Sequence, residues 1–418
     1  MRESGGFVDK SSRNGNYPQS YAQNLQIYPH IVDNSFSFQG GPDFPFPEKR
    51  LIISNIKGIF SEASEGDRRM ETKRWKVDKS VENLAGHPAI REAARLLQQN
   101  ELVAFPTETV YGLGANACDD GAVGKIYAAK GRPSDNPLII HISSLSELEK
   151  YVEKVPAKAE KLMKTFWPGP LTVVFQKRKG VLSEAATAGL PTVAVRMPDH
   201  PVALALIRAS GLPIAAPSAN RSGKPSPTKA EHVLMDLEGK IAGIVDGGET
   251  GVGVESTVID CTLDLPAILR PGGISKEKIE EVIGPVRSGS NFSPEGEKAP
   301  RSPGMKYTHY APRAPLYLVE GSKEYIQGLI KKERSLGKRV GVLTTEERNG
   351  FYEADAAALC GRRADLATVA RRLYDCLRYF DEEGVDVIFA ETFEEEGIGA
   401  AVMNRLFKAA GGKVIREG

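Results

Sequence analysis

The chain has 418 residues, 41% of them hydrophobic, and a formal net charge of +1. That length holds two or three domains with sizeable cores, and a charge so near zero excludes a global electrostatic pull toward nucleic acid or an anionic membrane. Cys118, Cys261, Cys360 and Cys376 stand far apart with no CxxC, which argues for a reduced cytoplasmic protein with structural thiols; no apolar run reaches the roughly 18 residues of a membrane span, and no apolar signal core opens the chain.

Residues 1–69 are rich in Gly, Ser, Asn, Pro and aromatics, and show little periodicity. They read as a mostly irregular extension upstream of a natural start at Met70, with a docking arm as the alternative. From about residue 82 the texture is α/β. HPAIREAARLLQQN (87–100) has apolar residues at helical spacing, with Pro88 suited to a first turn. LVAFP is a short buried strand. DDGAVGKIYAAKG (119–131) reads as a helix with Asp119 and Asp120 at its positive end and Gly131 as its stop. PLIIHI is a strand carrying His141. SELEKYV and AKAEKLMKTFW read as helices, LTVVFQK and TVAVRMP as strands, HPVALALIRAS as a helix, and PIAAPSAN as a strand running into a polar turn. TKAEHVLMDLEG is a helix, AGIVDGG, STVID and AILRPG are strands, and SKEKIEEVIG closes the unit near residue 284. The uneven spacing favours a mixed, twisted sheet with helices packed on it over a clean doubly wound one.

Residues 285–315 read as a linker dominated by Gly, Ser and Pro, a composition that rarely packs as regular structure. Its second half carries Lys306, Tyr307, His309, Tyr310 and Arg313. An inert spacer needs none of these, whereas a segment lying back over a pocket would use them. From 316 to 418 strands and helices alternate again (LYLVEG, SKEYIQGLIKKERSLG, RVGVLTT, the long DLATVARRLYDCLRYFDEEG, DVIFAETF, AAVMNRLFKAAGG), which predicts a smaller Rossmann-like α/β unit.

No Walker A pattern appears. YGLGANA (111–117) contains GxGxxA, a thin dinucleotide signal because five residues separate it from the preceding strand, and GIGAAV (397–402) is thinner still. Taken singly, Lys130 and Arg132 read as surface charges as readily as ligands, His141 as a satisfied core histidine, and Ser218 and Asn220 as turn residues. Ser256, Thr257 and Arg270 are equally ambiguous alone. Their arrangement is what carries information: each sits at or near the end of a short strand beside Gly or Pro, where α/β folds place their sites.

Together PTETVYGLG (106–114), KGRPSDNPL (130–138), PGPLT (168–172), VAVRMPDHP (193–201), APSAN with RSG and PSPT (216–228), STVID (256–260) and ILRPG (268–272) resemble, in order, the threonylcarbamoyl-adenylate synthase family, whose catalytic unit is the YrdC-like domain. SPGMKYTHYAPRAPL (302–316) followed by an α/β unit resembles that family's long, two-domain branch. The resemblance implies a YrdC-like twisted mixed sheet at 70–284, a linker or lid at 285–315 and a C-terminal domain at 316–418. It implies a nucleotidyltransferase that joins L-threonine, bicarbonate and ATP, with Mg²⁺ bridging the phosphates and no fixed protein metal ligands. The product would pass to a transferase complex that modifies the adenosine beside the anticodon of tRNAs reading codons that begin with A. Carried over by position, Thr109, His141, Arg196 and Ser256 resemble the threonine-binding set, and Arg132, Asn136, Thr192, Ala216, Ser218, Ser226, Arg270 and Tyr310 the nucleotide set. Lys130 helps at the phosphates, and Lys130, Arg132 and Arg196 are the expected catalytic cations. Two other readings are a carbamoyl-transfer module, which the missing cysteine pairs disfavour, and a non-catalytic RNA-binding module, which the neutral net charge disfavours.

Overall fold

The computed structural model describes residues 71–288 and 309–418, and both stretches fall within one compact unit. The expectations for residues 1–69, for a start at Met70, and for Lys306 and Tyr307 lie outside the described residues. The first described stretch is built on an eleven-stranded mixed sheet in the order β1-β8-β2-β3-β7-β4-β6-β5-β9-β10-β11. The strands are β1 (Lys73–Lys76), β2 (Val103–Phe105), β3 (Gly112–Asn116), β4 (Ile139–His141), β5 (Leu171–Gln176), β6 (Thr192–Arg196), β7 (Ile214–Ala215), β8 (Gly243–Asp246), β9 (Thr257–Asp260), β10 (Ala267–Arg270) and β11 (Arg287–Ser288). Parallel and antiparallel pairs alternate irregularly: β4 with β6 and β5 with β9 run parallel, while β3 with β7, β4 with β7 and β5 with β6 run antiparallel.

Helices α1 (Pro88–Gln98), α2 (Asp120–Lys130), α3 (Ala157–Phe166), α4 (Glu184–Thr187), α5 (Pro201–Ser210), α6 (Ala230–Leu237) and α7 (Lys276–Ile283) flank it. In α1, Pro88 occupies the first turn, where its missing N–H costs nothing, and the His87 ring accepts the Ala89 N–H. Its periodic apolar face (Ile90, Ala93, Ala94, Leu97) packs against Val202, Ala203 and Leu206 of α5, over Val103 and Phe105.

The C-terminal stretch is a parallel five-stranded sheet in the order β14-β13-β15-β12-β16, formed by β12 (Leu316–Glu320), β13 (Val340–Thr344), β14 (Ala356–Leu359), β15 (Val387–Glu391) and β16 (Val414–Arg416). Helices α8 (Lys323–Ser335), α9 (Leu366–Glu383) and α10 (Gly399–Ala409) cover it. Its core is not closed on itself: Val110 and Val254 of the first stretch share a buried cluster with Leu373, Tyr374, Leu377 and Leu406.

Two local expectations, for SELEKYV and for residues 287–288, are corrected, and three strands are not legible in the sequence. SELEKYV forms only a 3₁₀ segment, Leu145–Lys150, because a single buried residue, Leu148, gives it no apolar face to pack. YGLGANA is the strand β3, paired antiparallel to β2, so its glycines lie in a sheet and open no helix. The alanine-rich β14 and the short terminal β16 carry too little periodicity to be read as strands. Arg287 and Ser288, assigned to an irregular linker, pair in parallel with Ala267 and Ile268.

Candidate active site

A cavity of about 710 Å³, its mouth included, opens where β4, β6, β7 and β10 end and the loops before β3 and β9 begin. Sheet register brings its members together. His141 and Arg196 are direct partners across β4 and β6, and both face the cavity. Helix α2 ends at Lys130 and reverses at Gly131, whose φ of +61° is the left-handed cap that glycine adopts without penalty. That reversal puts Lys130 and Arg132 into the same wall. Arg270 enters from the end of β10, and its Nε and Nη2 donate to the Ser256 carbonyl at 3.2 and 3.0 Å.

The polar contacts are specific. Arg196 Nη1 donates to Thr109 Oγ1 at 3.0 Å and Nε to the Gly169 carbonyl at 3.3 Å. Its Nη2 lies 2.7 Å from Glu108 Oε1, an ion pair with both side chains largely buried. The Ser256 and Thr172 hydroxyls meet at 2.8 Å, as do those of Thr107 and Thr109. Lys130 Nζ donates to the carbonyls of Ser218 and Asn220, so it staples that turn and offers the cavity charge rather than a free N–H.

The electrostatics suit anions. Burial pushes Lys130 well below the usual lysine range, with the Arg132 charge adding to the effect. Burial likewise lowers Arg132 to about 10 and depresses Arg270. His141 is held neutral: burial, then the Arg196 charge, lower it to about 3, and its Nδ1 lies 3.1 Å from the Ile139 carbonyl, which assigns the proton to that nitrogen. Three desolvated cations beside one another are stable only near negative charge. Among the described residues the cavity wall has a single acid, Glu255, and Ser226 Oγ already donates to it at 2.6 Å.

Of the residues named from sequence, Thr109, Lys130, Arg132, His141, Arg196, Ala216, Ser218, Ser256, Arg270 and Tyr310 line this one cavity. Tyr310 arrives from the segment after residue 308 with a φ of +67°, a region a tyrosine rarely enters. It is buried, its ring 5.3 Å from that of Tyr374 and 5.6 Å from that of His309. Three residues do not line the cavity. Ser226 touches it through Glu255. Asn136 is buried, its carbonyl accepting from Arg132 and its side-chain N and O unpartnered. Thr192 stands at the far end of β6 from Arg196, about 13 Å away at 3.3 Å per residue. The sequence reading missed Glu255 and everything the C-terminal helices bring: Tyr374, Arg378 and Arg405. Only the adjacency of Glu255 to Ser256 could have flagged it. Among the described residues no three His, Cys, Asp or Glu side chains gather to hold a metal ion, and no helix is long and apolar enough to cross a membrane.

Residues 95–272 match a family model described as telomere recombination, and residues 274–411 match one described as the threonylcarbamoyl-AMP synthase C-terminal domain. A threonylcarbamoyl-AMP synthase of Bacillus subtilis is 64% identical over 83% of this chain and all of its own length. One of Pyrococcus abyssi is 53% identical over 78% of this chain and 95% of its own. The crystal structure of Pyrococcus abyssi Sua5 complexed with L-threonine superposes with a TM-score of 0.75 at 49% identity, over 84% of this chain and 99% of that one.

Proposed function

We infer that this chain, which belongs to the two-domain threonylcarbamoyl-AMP synthase family, is the nucleotidyltransferase that makes threonylcarbamoyl-adenylate and pyrophosphate from L-threonine, bicarbonate and ATP. The observation that carries the reading is the ring of cations around one cavity, buried Lys130, Arg196 and Arg270 with half-buried Arg132. The amine of threonine adds to CO₂ with loss of a proton, or condenses with bicarbonate with loss of water, to give a carbamate. A carbamate oxygen attacks the α-phosphorus, and pyrophosphate leaves. No enzyme nucleophile is required. The protein has to hold two anions together, neutralise them and keep water from a labile product.

Arg196 is assigned the threonine carboxylate: its buried guanidinium stands in the cavity wall beside Thr109 and His141, and a carboxylate is its natural partner. Thr109, Ser256 and neutral His141 supply hydroxyls and a ring nitrogen for the rest of the amino acid. Arg132 and Arg270, with the charge of Lys130, are assigned to the phosphates, and Ala216, Ser218 and Tyr310 to the remainder of the nucleotide, with Asn136 and Ser226 acting from behind the wall through Arg132 and Glu255. Mg²⁺ is assigned to the triphosphate as its counter-ion. The product passes to a cytoplasmic transferase that modifies tRNA beside the anticodon.

Within this reading 70–284 is the catalytic domain, the segment containing Tyr310 is a lid, and 316–418 supports it. Buried Tyr310 in the cavity wall supports the lid. Deleting 302–418 should abolish adenylate formation or greatly weaken it, whereas full activity from residues 70–300 alone removes the lid. The decisive assay is pyrophosphate release measured with threonine or bicarbonate omitted in turn. Release that ignores either omission rejects the function.

A further inference from the structure

Among the described residues Glu255 presents the one carboxylate in a wall whose other charged side chains are cations, where a triphosphate would be repelled by a bare negative charge. That charge is not bare. Glu255 Oε2 accepts from Tyr374 Oη at 2.8 Å and from Arg405 Nε at 2.9 Å, and Oε1 accepts from Ser226. Tyr374 lies on α9 and Arg405 on α10, so both partners of Oε2 come from the C-terminal stretch. Arg405 is the largest fully buried side chain among the described residues, its guanidinium also donating to the Pro271 carbonyl at 2.7 Å and lying 5.7 Å from the centre of the Tyr310 ring. Burial alone would raise the Glu255 carboxyl. The charges of Arg405 and Arg270, with the Ser226 and Arg405 hydrogen bonds, overcome burial and hold it at about 2.

The same helix grips the loop on which Glu255 sits. Arg371 Nε donates to the Gly251 carbonyl at 2.9 Å. Gly253, at a φ of +83°, lies so close to α9 that a Cβ there would come within 2.3 Å of the Arg371 Cα. Two and three residues further on are Glu255 and Ser256, the latter holding Arg270.

We propose that Arg405 and Tyr374 are positioning residues for the nucleotide: through Glu255 they cancel the one negative charge in the cavity wall and fix the loop that carries Ser256 and, with it, Arg270. The C-terminal stretch is then part of the ATP site, although none of its residues after the Tyr310 segment needs to touch substrate. The inference rests on the reading of the cavity as an ATP site.

The test uses the full chain. Binding of a non-hydrolysable ATP analogue is followed by calorimetry, and threonine- and bicarbonate-dependent pyrophosphate release by steady-state kinetics. Wild type failing the dependence rejects the function itself, separately from what the variants report. Arg405→Met strands the Glu255 charge, and removing one member of a buried charge pair should weaken analogue binding by about 30-fold or more while the threonine KM changes little. Glu255→Gln combined with Arg405→Met removes the stranded charge and should recover most of that loss. A double variant no better than Arg405→Met, or equal losses for both substrates, overturns the proposal. If Arg405→Met does not fold, Tyr374→Phe replaces it. Its loss of one donor should weaken the analogue by about 5- to 10-fold, and Glu255→Gln must relieve that loss or the proposal fails.

Discussion

Replacing Arg196 by Lys and by Ala separates recognition from support. All three guanidinium nitrogens are engaged: Nε with Gly169, Nη1 with Thr109 and Nη2 in charge contact with Glu108. A lysine keeps the charge beside Glu108, so the buried acid stays paired, but one ammonium cannot offer a carboxylate the two parallel donors of a guanidinium. The loss is one charge-assisted hydrogen bond, about 1.5–3 kcal/mol, or roughly 10- to 150-fold in the threonine KM. ATP affinity should be nearly untouched, because Arg132 and Arg270 remain. Alanine does more: it strands Glu108, whose side chain is only 12% exposed, and should cost about 3–5 kcal/mol of stability besides. The assay is pyrophosphate release titrated with each substrate, alongside urea unfolding of both variants. An unchanged threonine KM in Arg196→Lys, or a parallel rise in both KM values, refutes the assignment.

Arg378 donates to Asp236 at 2.7 Å, both side chains almost wholly buried; Arg378→Met should lower unfolding stability by about 3–5 kcal/mol, and a loss under about 1 kcal/mol would show the pair to be dispensable. Gly253→Ala should cost about 1–3 kcal/mol by overpacking against α9, read by thermal unfolding, and a wild-type melting curve would contradict the close approach. Stability should also fall with acid before any carboxylate titrates. Burial lowers His141, His200 and His309 to about 3, 4 and 3, so between the ordinary histidine value and those values the unfolded chain binds more protons than the folded one. Their contribution is complete above about pH 6.5 and is lost as pH drops, each group adding about 1.4 kcal/mol per unit. Urea midpoints between pH 7 and 5 measure the slope, which His200→Asn should reduce by one group's share; an unchanged slope would mean that His200 is not buried neutral.

Much of the site was legible because its residues cluster at strand ends next to Gly and Pro, and those punctuation marks survive in one dimension. Lys130-Gly131-Arg132 announced both the helix stop and the paired cations, and α2 ends where that motif places it. The strand β3 was not legible: its Gly-rich segment has no alternation and becomes a strand only because β2 and β7 present edges for it to pair with. Leu145–Lys150 failed in the opposite sense, with helix-forming residues but nothing to bury.

By itself the sequence determined the alternation of elements, the family motifs and the residue types that can bind anions, since propensity, capping and spacing are local properties of the chain. The tertiary structure alone decided that His141 and Arg196 share a register, that Lys130 is committed to the Ser218–Asn220 turn, and that Glu255 is closed by Tyr374 and Arg405 from more than a hundred residues away. Those contacts depend on strand order and on which helix faces meet, and no local pattern encodes a partner so distant.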